Sequence, residues 1–173
     1  MNENRWTIPE ELVHPFFFPE GKEIGVEPQY ENQLNCQTPF IHDAAYFMGK
    51  DTVRPWETPE DSISTLLYEW LLVKEQLQTY FEKRNKDEAL IFMRRGISYF
   101  IEFLHWTNGR PVILHPQIEY ESLQIKPVNI KERFEFIMKR PNLFHSYMQL
   151  CELFLEQEKS FTKAIAMKKM KKP

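Results

Sequence analysis

One segment decides the architecture open to this chain. From Asn85 to Asn108 the sequence reads NKDEALIFMRRGISYFIEFLHWTN. Wound at about 100° per residue, it places Asp87, Arg94, Arg95, Ser98, Glu102 and His105 in an arc of roughly a third of the circumference. Leu90, Phe92, Met93, Ile97, Tyr99, Phe100, Ile101, Phe103, Leu104 and Trp106 cover the rest, and Ile91 is the one apolar residue inside the polar arc. A helix with so wide an apolar surface cannot rest on a single neighbour. Several helices must surround it, which makes it the central element of an all-α bundle. The polar arc then has two readings. As a solvent-facing stripe it needs no function; as a buried network it marks a site, because unpaired charges do not stay inside a fold.

The remaining segments organise around that helix. Thr58-Pro59-Glu60-Asp61 joins a capping residue, Pro at the first helical position and early acids. It predicts a helix running to about Arg84, with Ile63, Leu66, Leu67, Trp70, Val73, Leu77, Tyr80 and Phe81 as its stripe. Asn85-Lys86-Asp87-Glu88 reads as a capping box that opens the central helix so soon afterwards that the two must double back as a hairpin. Thr38-Pro39 predicts a short helix from Pro39 to Met48, stopped by Gly49. Gly109 and Pro111 end the central helix, and residues 109–128, with three prolines, read as a long strap. Asn129 and Glu132 suggest a further capping box for a helix with Ile130, Phe134, Ile137 and Met138 inward. Beyond Pro141 comes a last helix with Leu143, Phe144, Tyr147, Leu150, Cys151, Phe154, Phe161 and Ile165 on one stripe.

The expectation is a single domain over residues 1–173, a bundle of about five helices with the strap between the third and fourth. Residues 1–38 form an irregular Pro- and Phe-rich segment, in which His14-Pro-Phe-Phe-Phe-Pro19 is too apolar for a solvated tail. It is expected to lie over the bundle with its phenylalanines in a groove; the functional alternative is an aromatic peptide offered to a partner. Residues 163–173 form a basic helix end.

Several function classes drop out. With five glycines, neither G-x-x-x-x-G-K-[ST] nor G-x-G-x-x-G can be written. No apolar run approaches the ~20 residues of a bilayer crossing, and MNENRWTIPEEL has no signal-peptide character. A cytoplasmic protein without membrane association is expected. Cys36 and Cys151 stand alone and read as reduced thiols. Residues 1–69 hold 13 acids and 4 bases, against 12 and 18 in residues 70–173, within a net charge of −3. Such polarity can steer a partner, although folding one half against the other cancels much of it.

Three constellations carry chemistry in principle. Glu11-Leu-Val-His14 and Glu102-Phe-Leu-His105 have the Glu-x-x-His spacing of di-metal bundles, which also need a Glu from each of two other helices. The first pair abuts Pro15 in irregular chain, and the second sits on the polar arc. Arg140-Pro-Asn-Leu-Phe-His145 has the Arg-x4-His spacing of the HEPN helical bundles, many of them ribonucleases, but with Pro141 where those carry a polar residue. Lys163, Lys168, Lys169, Lys171 and Lys172 follow one another with no acid between them and can meet nucleic-acid phosphates. No aromatic residue beside them offers a base-stacking surface, and a helix C-terminus favours lysine on dipole grounds alone. No catalytic residue, metal ligand or cofactor is assigned from these patterns.

Ala44-Ala45-Tyr46, Arg54-Pro55-Trp56-Glu57, Phe103-Leu104-His105-Trp106-Thr107-Asn108, Asn129-Ile-Lys-Glu-Arg133 and Gln149-Leu-Cys-Glu-Leu-Phe154 resemble the YpoC-like family of Gram-positive bacteria. The resemblance extends over nearly the whole chain. It implies a small cytosolic bacterial protein from a family without an assigned activity, whose genes lie near replication and repair genes, and it brings no site residues. The expectation that results is a non-enzymatic protein-interaction or scaffold module with a protein partner. The alternatives are a nucleic-acid-associated accessory protein using the Lys-rich end, and a HEPN-like or di-metal enzyme.

Overall fold

The computed structural model describes residues 5–19, 21, 23–26 and 32–171. Its helices are α1 (Ile41–Phe47), α2 (Pro59–Glu82), α3 (Lys86–Trp106), α4 (Ile130–Lys139) and α5 (Phe144–Met170). Strands β1 (Arg5–Thr7) and β2 (Glu23–Gly25) pair antiparallel, Trp6 opposite Ile24, with both of those side chains turned into the core. The sequence reading did not foresee this hairpin. Three-residue strands are too short for alternation to register as a pattern.

α3 is the central element. Every residue from Gly96 to Trp106 is buried, with α2 along one side and α5 along another. α2 and α3 form the expected hairpin across Lys83–Asn85. Arg84 takes a left-handed backbone, φ 55°, and the Arg84 and Asn85 N–H groups close α2 by donating to Phe81 O and Tyr80 O. Only half of the expected capping box therefore forms. Asn85 Oδ1 accepts from Glu88 N at 3.2 Å, but the Asn85 N–H that Glu88 would have capped already belongs to α2. At Gly96 a Cβ would stand 2.7 Å from Trp70 Cζ3. Glycine there lets the indole lie against α3, stacked on Phe154 at 4.1 Å.

Other caps differ from expectation for a common reason. α1 begins at Ile41, after Phe40 rather than Thr38, and α4 follows Asn129; both preceding residues are left-handed. A left-handed backbone re-aims the side chain, so Asn129 makes no capping hydrogen bond. α1 ends as predicted: Gly49, φ 73°, donates to Tyr46 O, and Lys50 N donates to Ala45 O. Pro141 ends α4, but α5 starts only at Phe144, with Ser146 Oγ donating to Arg140 O at 2.6 Å.

The strap after α3 carries one short turn, Tyr120–Ser122, and is pinned by Asn108. Asn108 donates to Leu104 O and Ile125 O and accepts from Gln124 N and Ile125 N, all at 2.7–2.9 Å. Gln157 of α5 adds bonds to Thr107 Oγ1 and Ile125 O. α4 is tied to α5 through Arg133, which donates to Gln149 Oε1 and Glu156 Oε2. Ile130, Phe134 and Ile137 are buried as predicted. In the N-terminal segment Phe17 is buried, its ring edge-on to Phe40 at 5.2 Å, while Phe16 and Phe18 are half-buried. The expected groove is the one between α3 and its covering loops.

Candidate functional site

The polar arc of α3 is buried over its second half, at Ser98, Glu102 and His105, and half-buried at Arg94 and Arg95, which reach residues 16 and 37. Near the start of the arc, Arg94 Nε donates to Phe16 O at 2.7 Å, with the guanidinium 5.2 Å over the Phe16 ring. Arg95 donates to Tyr99 Oη and to Gln37 Oε1. Ser98 Oγ turns back to Arg95 O at 2.7 Å. Asp87 and Ile91, nearer the start of the helix, stay exposed.

At the far end sits a set of polar groups with few partners. Asp43 of α1 is fully buried and ties three elements together. Its Oδ1 accepts from Trp106 Nε1 at 3.1 Å and from Val112 N of the strap at 2.6 Å, while Oδ2 has no partner. Burial pushes its carboxyl up to about 6, with the two donors pulling the other way. Glu102 is 2% exposed and its Oε1 also lacks a partner. Burial, then the charge of Asp43, pushes this carboxyl well above the carboxylate range, opposed by the Phe40 backbone N–H. Two buried carboxyl groups that feel each other's charge cannot both ionise cheaply.

Two neutral histidines flank the pair. His42 Nε2 accepts from Asn35 N at 2.8 Å, which puts the ring proton on the buried Nδ1, on the side of the Val53 backbone. His105 Nδ1 donates to Ile101 O at 2.8 Å. Burial lowers both to about 4. The Cys36 thiol is pushed up by burial and by Glu102, and with Cys151 it is a free cysteine. Asp43 and His42 were not singled out from sequence as site residues. The available signal was an acid in the middle of an otherwise apolar short helix, HDAAYF.

Beside this set runs an open cleft of about 780 Å³. The His14–Phe17 segment forms one wall, α4 another through Lys131, Phe134, Glu135 and Met138, and the strap a third through Leu114 and residues 116–122. Ile101 of α3 lies at its floor, next in sequence to Glu102. Tyr120 projects into it, its phenol pushed up by burial and by the Glu135 charge. The surface therefore mixes aromatic rings with charges of both signs.

The other constellations do not assemble. Glu11 lies on a 3-10 turn, Glu10–Leu12, and acts through its backbone carbonyl, which accepts from Leu114 N and His115 N. Among the described residues no three His, Cys, Asp or Glu side chains are grouped to hold a metal ion, so neither Glu-x-x-His pair finds the carboxylates that a di-metal site needs. Arg140 is exposed just after α4 and His145 is exposed in the first turn of α5, and neither lines the cleft. Lys163, Lys168, Lys169 and Lys171 are exposed at the end of α5, with Lys169 Nζ 4.0 Å from Glu60 Oε2; Lys172 lies outside the described residues. Among the described residues no helix is long and apolar enough to cross a membrane.

Comparison with known proteins matches residues 60–169 to the family described as YpoC-like protein. The match runs from the first turn of α2 to the end of α5, narrower than the resemblance read from sequence, whose Ala44–Tyr46 and Arg54–Glu57 stretches fall before it. A Bacillus subtilis (strain 168) protein with the printed name Uncharacterized protein YpoC is 35% identical over 115 residues, 65% of this chain and 70% of its own length. No solved structure matches.

Proposed function

The chain belongs to the YpoC-like protein family, and we propose that it works as a cytoplasmic protein-binding module, a helical scaffold rather than an enzyme, that docks its partner in the cleft between the N-terminal segment, the strap and α4. The observation that carries this reading is the make-up of that cleft. It is a concave surface that mixes aromatic and aliphatic side chains with charged ones, and among the described residues no three His, Cys, Asp or Glu side chains are grouped to hold a metal ion.

The test is affinity capture from the native host with tagged full-length chain, with and without nuclease, followed by the same capture with Ile118→Asp. Ile118 is a half-buried residue of the cleft wall. A protein partner that survives nuclease and is lost with Ile118→Asp, while the circular dichroism spectrum is kept, is the expected result. Capture that vanishes with nuclease turns the reading towards the lysine-rich end of α5 and nucleic acid. Capture indifferent to Ile118→Asp removes the cleft from consideration.

A further inference from the structure

We propose that α5 pairs with α5 of a second copy of this chain, parallel and in register, along an outward stripe of Phe144, Met148, Cys151 and Leu155. This pairing is independent of the cleft, which none of the four residues lines.

The stripe is a second apolar face on a helix that already has one. Tyr147, Leu150, Leu153, Phe154 and Phe161 turn α5 into the bundle and are buried. Phe144, Met148 and Leu155 point away from it, 49%, 43% and 54% exposed, with half-buried Cys151 between them. Phe144 and Cys151, which the sequence groups with the inner stripe, thus sit at its outer edge. The spacing of the four residues, four then three then four, is the alternation of a coiled-coil seam with an apolar residue at every position. Glu158 and Thr162, both exposed, occupy the next two positions and end the repeat, so the contact spans about three turns. α2 widens the patch. It runs beside α5, with Tyr147 Oη donating to Gln78 Oε1 at 3.4 Å and Trp70 stacked on Phe154. Leu71, one turn from Lys74 and two from Gln78, is 55% exposed on that side. Single apolar residues on a surface need no explanation, but a contiguous set in seam register does.

The rims of the stripe carry opposite charges, and these select the partner and its direction. On the α2 side stands Lys74, one turn from Gln78, with no ion pair among the described residues. On the α4 side stands Glu152, 59% exposed and 3.8 Å from Arg133, which is engaged more closely, at 2.9 Å, with Glu156. The charges of Lys74 and Glu152 both reach Cys151, so the two lie level along α5. A two-fold axis parallel to α5 lays α2 of each copy over α4 of the other and brings each Lys74 to Glu152 of the other copy. A two-fold axis across α5 reverses the helix and lays α2 over α2, which sets Lys74 against Lys74 and Glu152 against Glu152. The face therefore complements itself in the parallel arrangement, where Lys74 and Glu152 take the part of the charged positions that flank a coiled-coil seam.

Light scattering on the full chain as it leaves a gel-filtration column tests this, at about 100 µM, where interfaces of modest area are populated. The expected mass is twice the 21.0 kDa of one chain. Met148→Glu and Leu155→Glu should each return it to the mass of one chain. Because both side chains are exposed, the circular dichroism spectrum and the urea midpoint should be kept. Lys74→Glu should weaken the dimer by about tenfold, and Lys74→Glu combined with Glu152→Lys should restore it. Diamide should join two chains through Cys151, which the parallel register sets beside its mate, and Cys151→Ser should abolish the link, since Cys36 is buried. A wild-type mass of one chain overturns the proposal, as does a dimer indifferent to both Met148→Glu and Leu155→Glu. A dimer that resists joining through Cys151, or that Lys74→Glu leaves as tight as before, overturns the parallel register.

Discussion

On the side of α3 that meets α2 and α5, Trp70 stacks on Phe154 over Gly96, Met93 and Ile97 are fully buried, and the contact is apolar. On the side that meets α1, burial is just as complete, but beside the apolar Phe40, Ile41, Ala44 and Ala45 it takes in Asp43, Glu102, Ser98 and two histidines, and Asp43 Oδ2 and Glu102 Oε1 are short of a hydrogen-bond partner. The same helix thus has one face that drives folding and one that folding must tolerate. The difference separates two meanings of burial. Apolar contact gains free energy from every square ångström removed from water, whereas a buried carboxyl gives up hydration and recovers only what its partners supply. Features that break the local rules of stability mark the places where a fold serves something besides stability.

The sharpest way to break this comparison is on the apolar side. Trp70→Ala should lower unfolding free energy by about 4 kcal/mol, since it removes a large buried ring and leaves a cavity beside Gly96. Urea unfolding at neutral pH measures it, and a loss under about 1 kcal/mol would show that this face is not the foundation of the fold. In that background Gly96→Ala should turn from destabilising to favourable, because the indole that obstructs a Cβ is gone and alanine is the better helix former by about 1 kcal/mol.

On the polar side the sign reverses. Asp43→Asn keeps the acceptor for Trp106 and Val112 and removes the charge. Asp43 rises from 3.8 to about 6 on folding, so its share of stability is intact below pH 3.8 and is lost as pH climbs through 6. Relative to wild type, the variant should therefore gain about 2 kcal/mol between pH 4 and pH 7. The histidine contributions cancel in that difference. A gap that stays constant with pH would mean that Asp43 is as well solvated in the fold as in the unfolded chain.

The smallest effect belongs to the surface. Lys169 and Glu60 approach to 4.0 Å with both side chains more than half exposed, and Glu60→Gln should move the unfolding midpoint by no more than about 0.5 kcal/mol. A larger loss would place the end of α5 among the structural supports of α2.

Much of this fold is legible in the chain. Thr58-Pro59 and Asn85 mark helix starts, and the width of the apolar arc on residues 85–108 identifies the central helix. The cap expected at Thr38 falls at Phe40 and the one at Asn129 stands in place without its side-chain bond, because cap chemistry assumes an extended backbone at that position and here the residues before α1 and α4 are left-handed. The candidate site was half visible. Glu102 and His105 stood out by their spacing, but Asp43, whose charge reaches Glu102, lies about 60 residues before it, and Val112, which bonds Asp43, lies beyond the end of the helix.

What the sequence determined by itself is local: where helices start and stop, and which face of each is apolar, because these follow from periodicity and from backbone groups within a few residues. Which face of α3 the N-terminal segment would cover was decided only in the tertiary structure. A polar residue encodes the cost of losing water, not the identity of the neighbour that takes it away. That neighbour is Asp43, brought against Glu102 and Trp106 by packing of α1 that no pattern along the chain records.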